Sequence, residues 1–140
     1  MMGSVGVGFL NKLQPLGLLV LRVVVGIIMA AHGWQKIHGG PSHFVQTVSG
    51  LGLPGWMAYL TITAEFLGGI LLIVGLGTRI AAAAILIDML VAITKVHLHN
   101  GLLAQGGYQF PLTLAAVAFS LIFFGAGSLS VDWMIGARGK

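Results

Sequence analysis

Residues 56–96 read WMAYLTITAEFLGGILLIVGLGTRIAAAAILIDMLVAITKV. Two apolar stretches, Trp56–Leu76 and Ile80–Val96, are separated only by Gly77-Thr78-Arg79. A bilayer core takes about 20 apolar residues of helix, with about 17 the practical minimum, so each stretch is long enough to cross. A glycine at the junction makes a tight cap and turn, which predicts an antiparallel helical hairpin. Each arm carries one carboxylate in its interior: Glu65 lies nine residues after Trp56, and Asp88 nine before His97. At about 1.5 Å of rise per residue, both sit about 13–14 Å below one surface, side by side on neighbouring helices.

The rest of the 140-residue chain agrees with a membrane reading, being 57% hydrophobic and 7% charged, whereas soluble domains are roughly a quarter charged. Leu16–Trp34 and Phe110–Leu129 supply two further apolar stretches. The expected fold is therefore all-α, a single-domain integral membrane four-helix bundle. The length leaves no room for a soluble catalytic domain beside the spans. Lys12 ahead of the first stretch resembles a signal-peptide start, but no small-residue cleavage site closes that stretch, so it is read as retained. The chain has no cysteine, which excludes disulfides, thiolate nucleophiles, iron–sulfur ligation and cysteine zinc sites. No basic run with interleaved aromatics points to nucleic acid.

With four spans, the N-terminus, the Arg79 turn and the C-terminus share a side that carries Lys12, Arg79, Arg138 and Lys140, against Lys36 and Lys95 opposite. The positive-inside rule then makes both termini cytoplasmic. The external side holds His32, His38, His43, His97 and His99. Trp34, Trp56, Tyr59 and Tyr108 at that level, and Trp133 at the other, suit aromatic belts. In the first external loop, Phe44, Val48 and Leu51 recur at helical spacing between Gly/Pro breakers, which predicts a short interfacial helix capped by Ser42 and closing over the bundle mouth.

Ionisable groups inside a span cost roughly 2.5–3.5 kcal/mol each on insertion scales and need partners or water. Arg22, inside the first stretch, is the expected counter-ion of Glu65 and Asp88. Two carboxylates against one guanidinium leave one acid to hold a proton, so the set can carry protons; the plainer reading is an ion pair that fixes helix packing. Stripes of small and polar residues, Arg22, Gly26, Met29, Gly33 and Lys36 on the first stretch and Ala81, Ala84, Asp88, Ala92 and Lys95 on the third, suit close helix packing. A metal is not expected, because His97-Leu98-His99 converges only on extended backbone. Haem is not expected either, since its ligands would lie at the rim. Hydrogen bonding of His32, Lys95 and His97 to an oxygen-bearing ring such as a quinone, between aromatic walls that include Trp34 and Tyr108, uses the set better.

Leu21-Arg22 with Gly26, His32-Gly33-Trp34-Gln35-Lys36, Gly52-Leu53-Pro54, Ala64-Glu65 with Gly68-Gly69, Gly75 through Arg79, His97 through Gly101, Gly106-Gly107-Tyr108 and Phe110-Pro111 follow one another along the chain. In that order and spacing the chain resembles the DoxX family of small bacterial and archaeal membrane proteins. The resemblance implies a bundle related to the DoxD subunit of an archaeal thiosulfate:quinone oxidoreductase, which acts with a second subunit. It carries over Arg22, His32, Lys36, Glu65 and His97 as motif positions, while Asp88 rests on the depth argument alone. The expectation is a redox-associated membrane subunit, a quinone-linked oxidoreductase component acting with a partner. Its polar external pocket of Arg22, His32, Lys36, Glu65, Asp88, Lys95 and His97 would bind a quinone or small oxidant and exchange protons. The alternatives are a solute-binding or transport protein, working as a homo-oligomer, and an anchor for a soluble redox partner.

Overall fold

The computed structural model describes residues 7–138, which contain helices, turns and loops but no strand. A short helix α1 (Gly8–Lys12) leads into the long α2 (Gln14–His38), followed by α3 (Pro41–Gly50), α4 (Met57–Val74), α5 (Thr78–Ala92), α6 (Gln109–Phe124) and α7 (Val131–Arg138). Beyond Ala92, α5 continues through a π turn, Ile93–His97, and a single 3-10 turn, Leu98–Asn100. Among the described residues, three helices are long and apolar enough to cross a membrane, Gln14–His38, Met57–Val74 and the continuous Thr78–Asn100, while the apolar Gln109–Phe124 is shorter.

Burial runs opposite to that of a water-soluble protein. Ile80 is 80% and Ile87 64% exposed, while Arg22 and Glu65 are 0% and 4% exposed. Such an exterior suits acyl chains, and hydrocarbon forces the polar groups to find partners inside. The inner faces of α2, α4, α5 and α6 meet around Val25, Met29, Leu72, Ile85, Leu114 and Leu121. α4 lies between α2 and α5, and α5 packs on α6.

Glycine sets the spacing of α2 and α4. A Cβ on Gly26 would stand 2.6 Å from the Gly69 carbonyl oxygen, and one on Gly33 would stand 2.5 Å from the Phe66 amide nitrogen. The two backbones are therefore in direct contact at two levels, the close approach that small residues at helical spacing allow. Gly33 also fixes what happens one turn further on, because Lys36 follows it on the same face and Glu65 precedes Phe66.

The hairpin between α4 and α5 forms where the sequence indicated, but its left-handed residues are Gly75 (φ 75°) and Gly77 (φ 58°), with Thr78 already helical. Leu71 O accepts from both Gly75 N at 2.8 Å and Leu76 N at 3.0 Å, which uses up a carbonyl at the end of α4. α2 extends to His38, so Lys36 belongs to its last turn instead of to a loop. α6 stops at Phe124, short of the expected Leu129, because Gly125 and Gly127 take positive φ values of 73° and 80°. α3 forms between the expected breakers, with Pro41 in its first turn and Gly40 at its N-cap; Ser42 makes no capping hydrogen bond. Lys140, one of the charges behind the expected orientation, lies outside the described residues.

Candidate functional site

At the histidine end of the helices, Lys36 Nζ lies 2.5 Å from Glu65 Oε1. Glu65 is nearly closed off, its side chain 6% exposed against 21% for Lys36. Lys36 Nζ also stands 5.1 Å from the centre of the Phe44 ring, so α3 covers the ammonium with an aromatic face that attracts cations. Helix α3 thus brings Phe44 to the ion pair and buries Val48.

Asp88, from α5, stands beside Glu65 and Thr61. Its Oδ2 is buried with no hydrogen-bond partner among the described residues. The depth argument therefore brings the two carboxyls together as expected. The counter-ion differs: Lys36 takes the place expected for Arg22. One ammonium thus stands against two carboxyl groups.

Arg22 lies at the opposite, Arg79 end. Its Nη2 donates to Leu129 O at 2.7 Å, and its Nε and Nη1 have no partner among the described residues. Gly75 admits it, since a Cβ there would run into the guanidinium. Asp132 is the nearby carboxylate, and it accepts from Gly77 N at 2.7 Å and Thr78 N at 2.9 Å, capping the start of α5. The position of Arg22 nearer that end of α2 was readable from sequence, but its partner, the Leu129 carbonyl five residues past the end of α6, was not.

Glu65 and Lys36 open onto a cavity of about 520 Å³. His32 and His97 line it too, with Met29, Met89, Phe110 and Leu114 as apolar walls and Gln105 and Gln109 as further polar lining. A volume of this order holds a small ring compound. His32 Nδ1 meets Ile28 O at 2.7 Å, and His97 Nδ1 meets Gly106 O at 2.7 Å. A carbonyl oxygen only accepts, so each Nδ1 donates, and in the neutral ring each Nε2 keeps a lone pair. No group among the described residues hydrogen-bonds either Nε2.

The loop that brings Gly106 to His97 is tightly wound. Asn100 Nδ2 donates to the same Gly106 carbonyl at 3.0 Å, and a Cβ on Gly107 would collide with the carbonyls of Gly101 and Ala104. Of the other expected pocket residues, Lys95 is exposed and outside the cavity wall. Trp34 turns outward, 54% exposed, and stacks on His38 at 5.8 Å. Tyr108 begins α6 and contributes its backbone N–H to Gly101 O at 3.1 Å instead of a side chain to the wall. Gln105, Gln109 and Met89 escaped the sequence reading because they carry no charge and their spacing along the chain marks nothing. Among the described residues, no group of three or more histidines and carboxylates is arranged to hold a metal ion.

The DoxX family model matches residues 17–98, which include every charged residue of the site. The chain belongs to the DoxX family. Over 123 residues it is 32% identical to the Bacillus subtilis protein named "Putative oxidoreductase CatD", covering 88% of this chain and 90% of that protein. It is 28% identical over 135 residues to the Escherichia coli "Inner membrane protein YqjF", covering 92% and 99%. An "Uncharacterized membrane protein" of Mycobacterium tuberculosis is 28% identical over 141 residues, covering 89% and 84%. No solved structure matches. Together with its apolar helices, these relatives make this DoxX chain a multi-pass bacterial membrane protein.

Proposed function

We propose that this DoxX protein is a redox-associated membrane subunit that binds a quinone-type ring in the cavity between His32, His97 and the Lys36–Glu65 pair, and exchanges protons with it. The observation that carries the reading is the cavity wall: two imidazoles with free Nε2 atoms beside an ion pair that is backed by a second carboxyl. A quinone-type ring supplies two-electron chemistry coupled to protons. His32 and His97 face its oxygens, Glu65 receives protons from the cavity side, and Asp88 behind it shares them. Phe110, Leu114 and Met89 give the ring apolar walls. The oxidoreductase in the name of the Bacillus subtilis relative supports the redox class.

In this reading α2, α4, α5 and α6 form a four-helix membrane bundle with the Arg79 end cytoplasmic and the cavity facing outward, as the distribution of Lys and Arg favours. Electrons pass to or from a separate redox protein. The test compares wild type and Glu65→Gln after gentle solubilisation, reading co-purified quinone by mass spectrometry and absorbance. Quinone or hydroquinone in the wild type and its loss from a folded Glu65→Gln variant support the proposal; a wild-type protein that carries neither and takes up neither when each is added overturns it.

A further inference from the structure

The direction of the hydrogen bonds in the cavity wall discriminates between redox states of the ring. His32 and His97 each spend their Nδ1 proton on a backbone carbonyl, Ile28 O and Gly106 O. What each neutral imidazole then offers the cavity is an acceptor. Glu65, the third polar group on the wall, is an acceptor when ionised, and the Lys36 ammonium gives one of its three N–H donors to Glu65 and lies beneath the Phe44 ring. Gln105 and Gln109 carry both donors and acceptors and favour neither kind of ligand. A ring with two carbonyl oxygens would set lone pairs against lone pairs. A ring with two hydroxyls would supply the two protons that the imidazoles lack, and a buried polar group left unmatched costs about 1–3 kcal/mol.

We infer that the cavity is selective for the reduced, dihydroxy-aromatic form of its ligand, with the His32 and His97 Nε2 atoms accepting from its hydroxyls. The inference rests on the ring-binding reading above and adds the redox state. The same chemistry is presented by a membrane-dissolved hydroquinone with an alkyl tail and by a small water-soluble one.

The test is equilibrium binding to the purified full chain in detergent under anaerobic conditions at neutral pH. The probes are 1,4-hydroquinone, 1,4-benzoquinone, 1,4-dimethoxybenzene, which has the oxygens without donors, and a decyl-substituted hydroquinone with its quinone. The expected result is at least tenfold tighter binding of the hydroquinones than of the matching quinones, with dimethoxybenzene as weak as the quinone. A tail-dependent gain identifies the lipid-dissolved source, and equal affinity with and without the tail identifies the water-soluble one; both support the inference. His32→Phe, which removes an acceptor bonded only to its own helix, should erase most of the preference while leaving thermal stability near wild type. Quinones that bind as tightly as hydroquinones overturn the redox-state inference and leave the ring-binding site standing. Failure of every probe to bind overturns both.

Discussion

Lys36 reaches Glu65 because Gly33, one turn earlier on α2, lets that helix touch the backbone of α4 at Phe66. A short salt bridge between two membrane helices is thus a consequence of a missing side chain three residues away. Asp88 then joins from α5 behind Glu65, so one contact between backbones organises groups from three helices.

Removing the ammonium should damage the protein more than removing the carboxylate it pairs with. Lys36→Met leaves Glu65 and Asp88 facing each other without a cation, and breaking one partner of a buried pair costs about 3–5 kcal/mol. Glu65→Gln removes the repulsion as well as the attraction and should cost far less. The double variant should recover most of the stability lost in Lys36→Met. Thermal unfolding of the four proteins in one detergent forms the cycle, and additive losses would show that Lys36 and Glu65 do not interact.

The glycine contact is separately testable. Gly33→Ala puts a methyl group where the Phe66 backbone already stands, so the helices must part or shift. Overpacking of this kind costs about 1–3 kcal/mol. Gly17, on the same helix, has nothing near its missing Cβ, and Gly17→Ala should instead raise stability by about 0.5–1 kcal/mol through helix propensity. Equal unfolding temperatures for the two variants would contradict the backbone contact.

The sequence carried the fold where hydrophobicity and glycine act locally. The helical runs around Glu65 and Asp88, the hairpin at Gly77 and the short helix after Pro41 are set by residues adjacent in the chain. The common depth of Glu65 and Asp88 was also legible, because helical rise converts residue counts to distance. The choice between Lys36 and Arg22 as counter-ion was not. Arg22 is closer to mid-span by count, but long side chains reach along the helix in either direction, and its direction depends on Gly75 and Leu129, far away in sequence. The histidine tautomers were hidden for the same reason: His97 is oriented by Gly106, a carbonyl with no side-chain signature.

Arg22 should therefore be dispensable at the cavity. Arg22→Met keeps a long apolar stem, loses one hydrogen bond to Leu129 O and removes two unpartnered N–H groups. Because Asp132 keeps both of its backbone donors, no carboxylate is stranded. Stability should stay within about 2 kcal/mol of wild type, and hydroquinone affinity should change less than twofold. A folded Arg22→Met protein that had lost ring binding would return the guanidinium to the site.

At the Arg79 end, Asp132 holds the chain after α6 onto the start of α5. Its two oxygens take the N–H groups of Gly77 and Thr78, while its own backbone N–H donates to Gly75 O at 2.8 Å. Helix starts leave backbone donors unsatisfied, and a carboxylate there also meets the positive end of the helix dipole. Asp132→Ala should cost about 1–2 kcal/mol, the usual range for a lost cap, and Asp132→Asn less, because its amide oxygen can still accept one of the two bonds. Since α7 is tied to the bundle through this residue, hydrogen exchange at Gly77 and Thr78 and proteolysis within Val131–Arg138 should both accelerate in Asp132→Ala. Unchanged exchange at those two amides would show that the carboxylate does not cap α5.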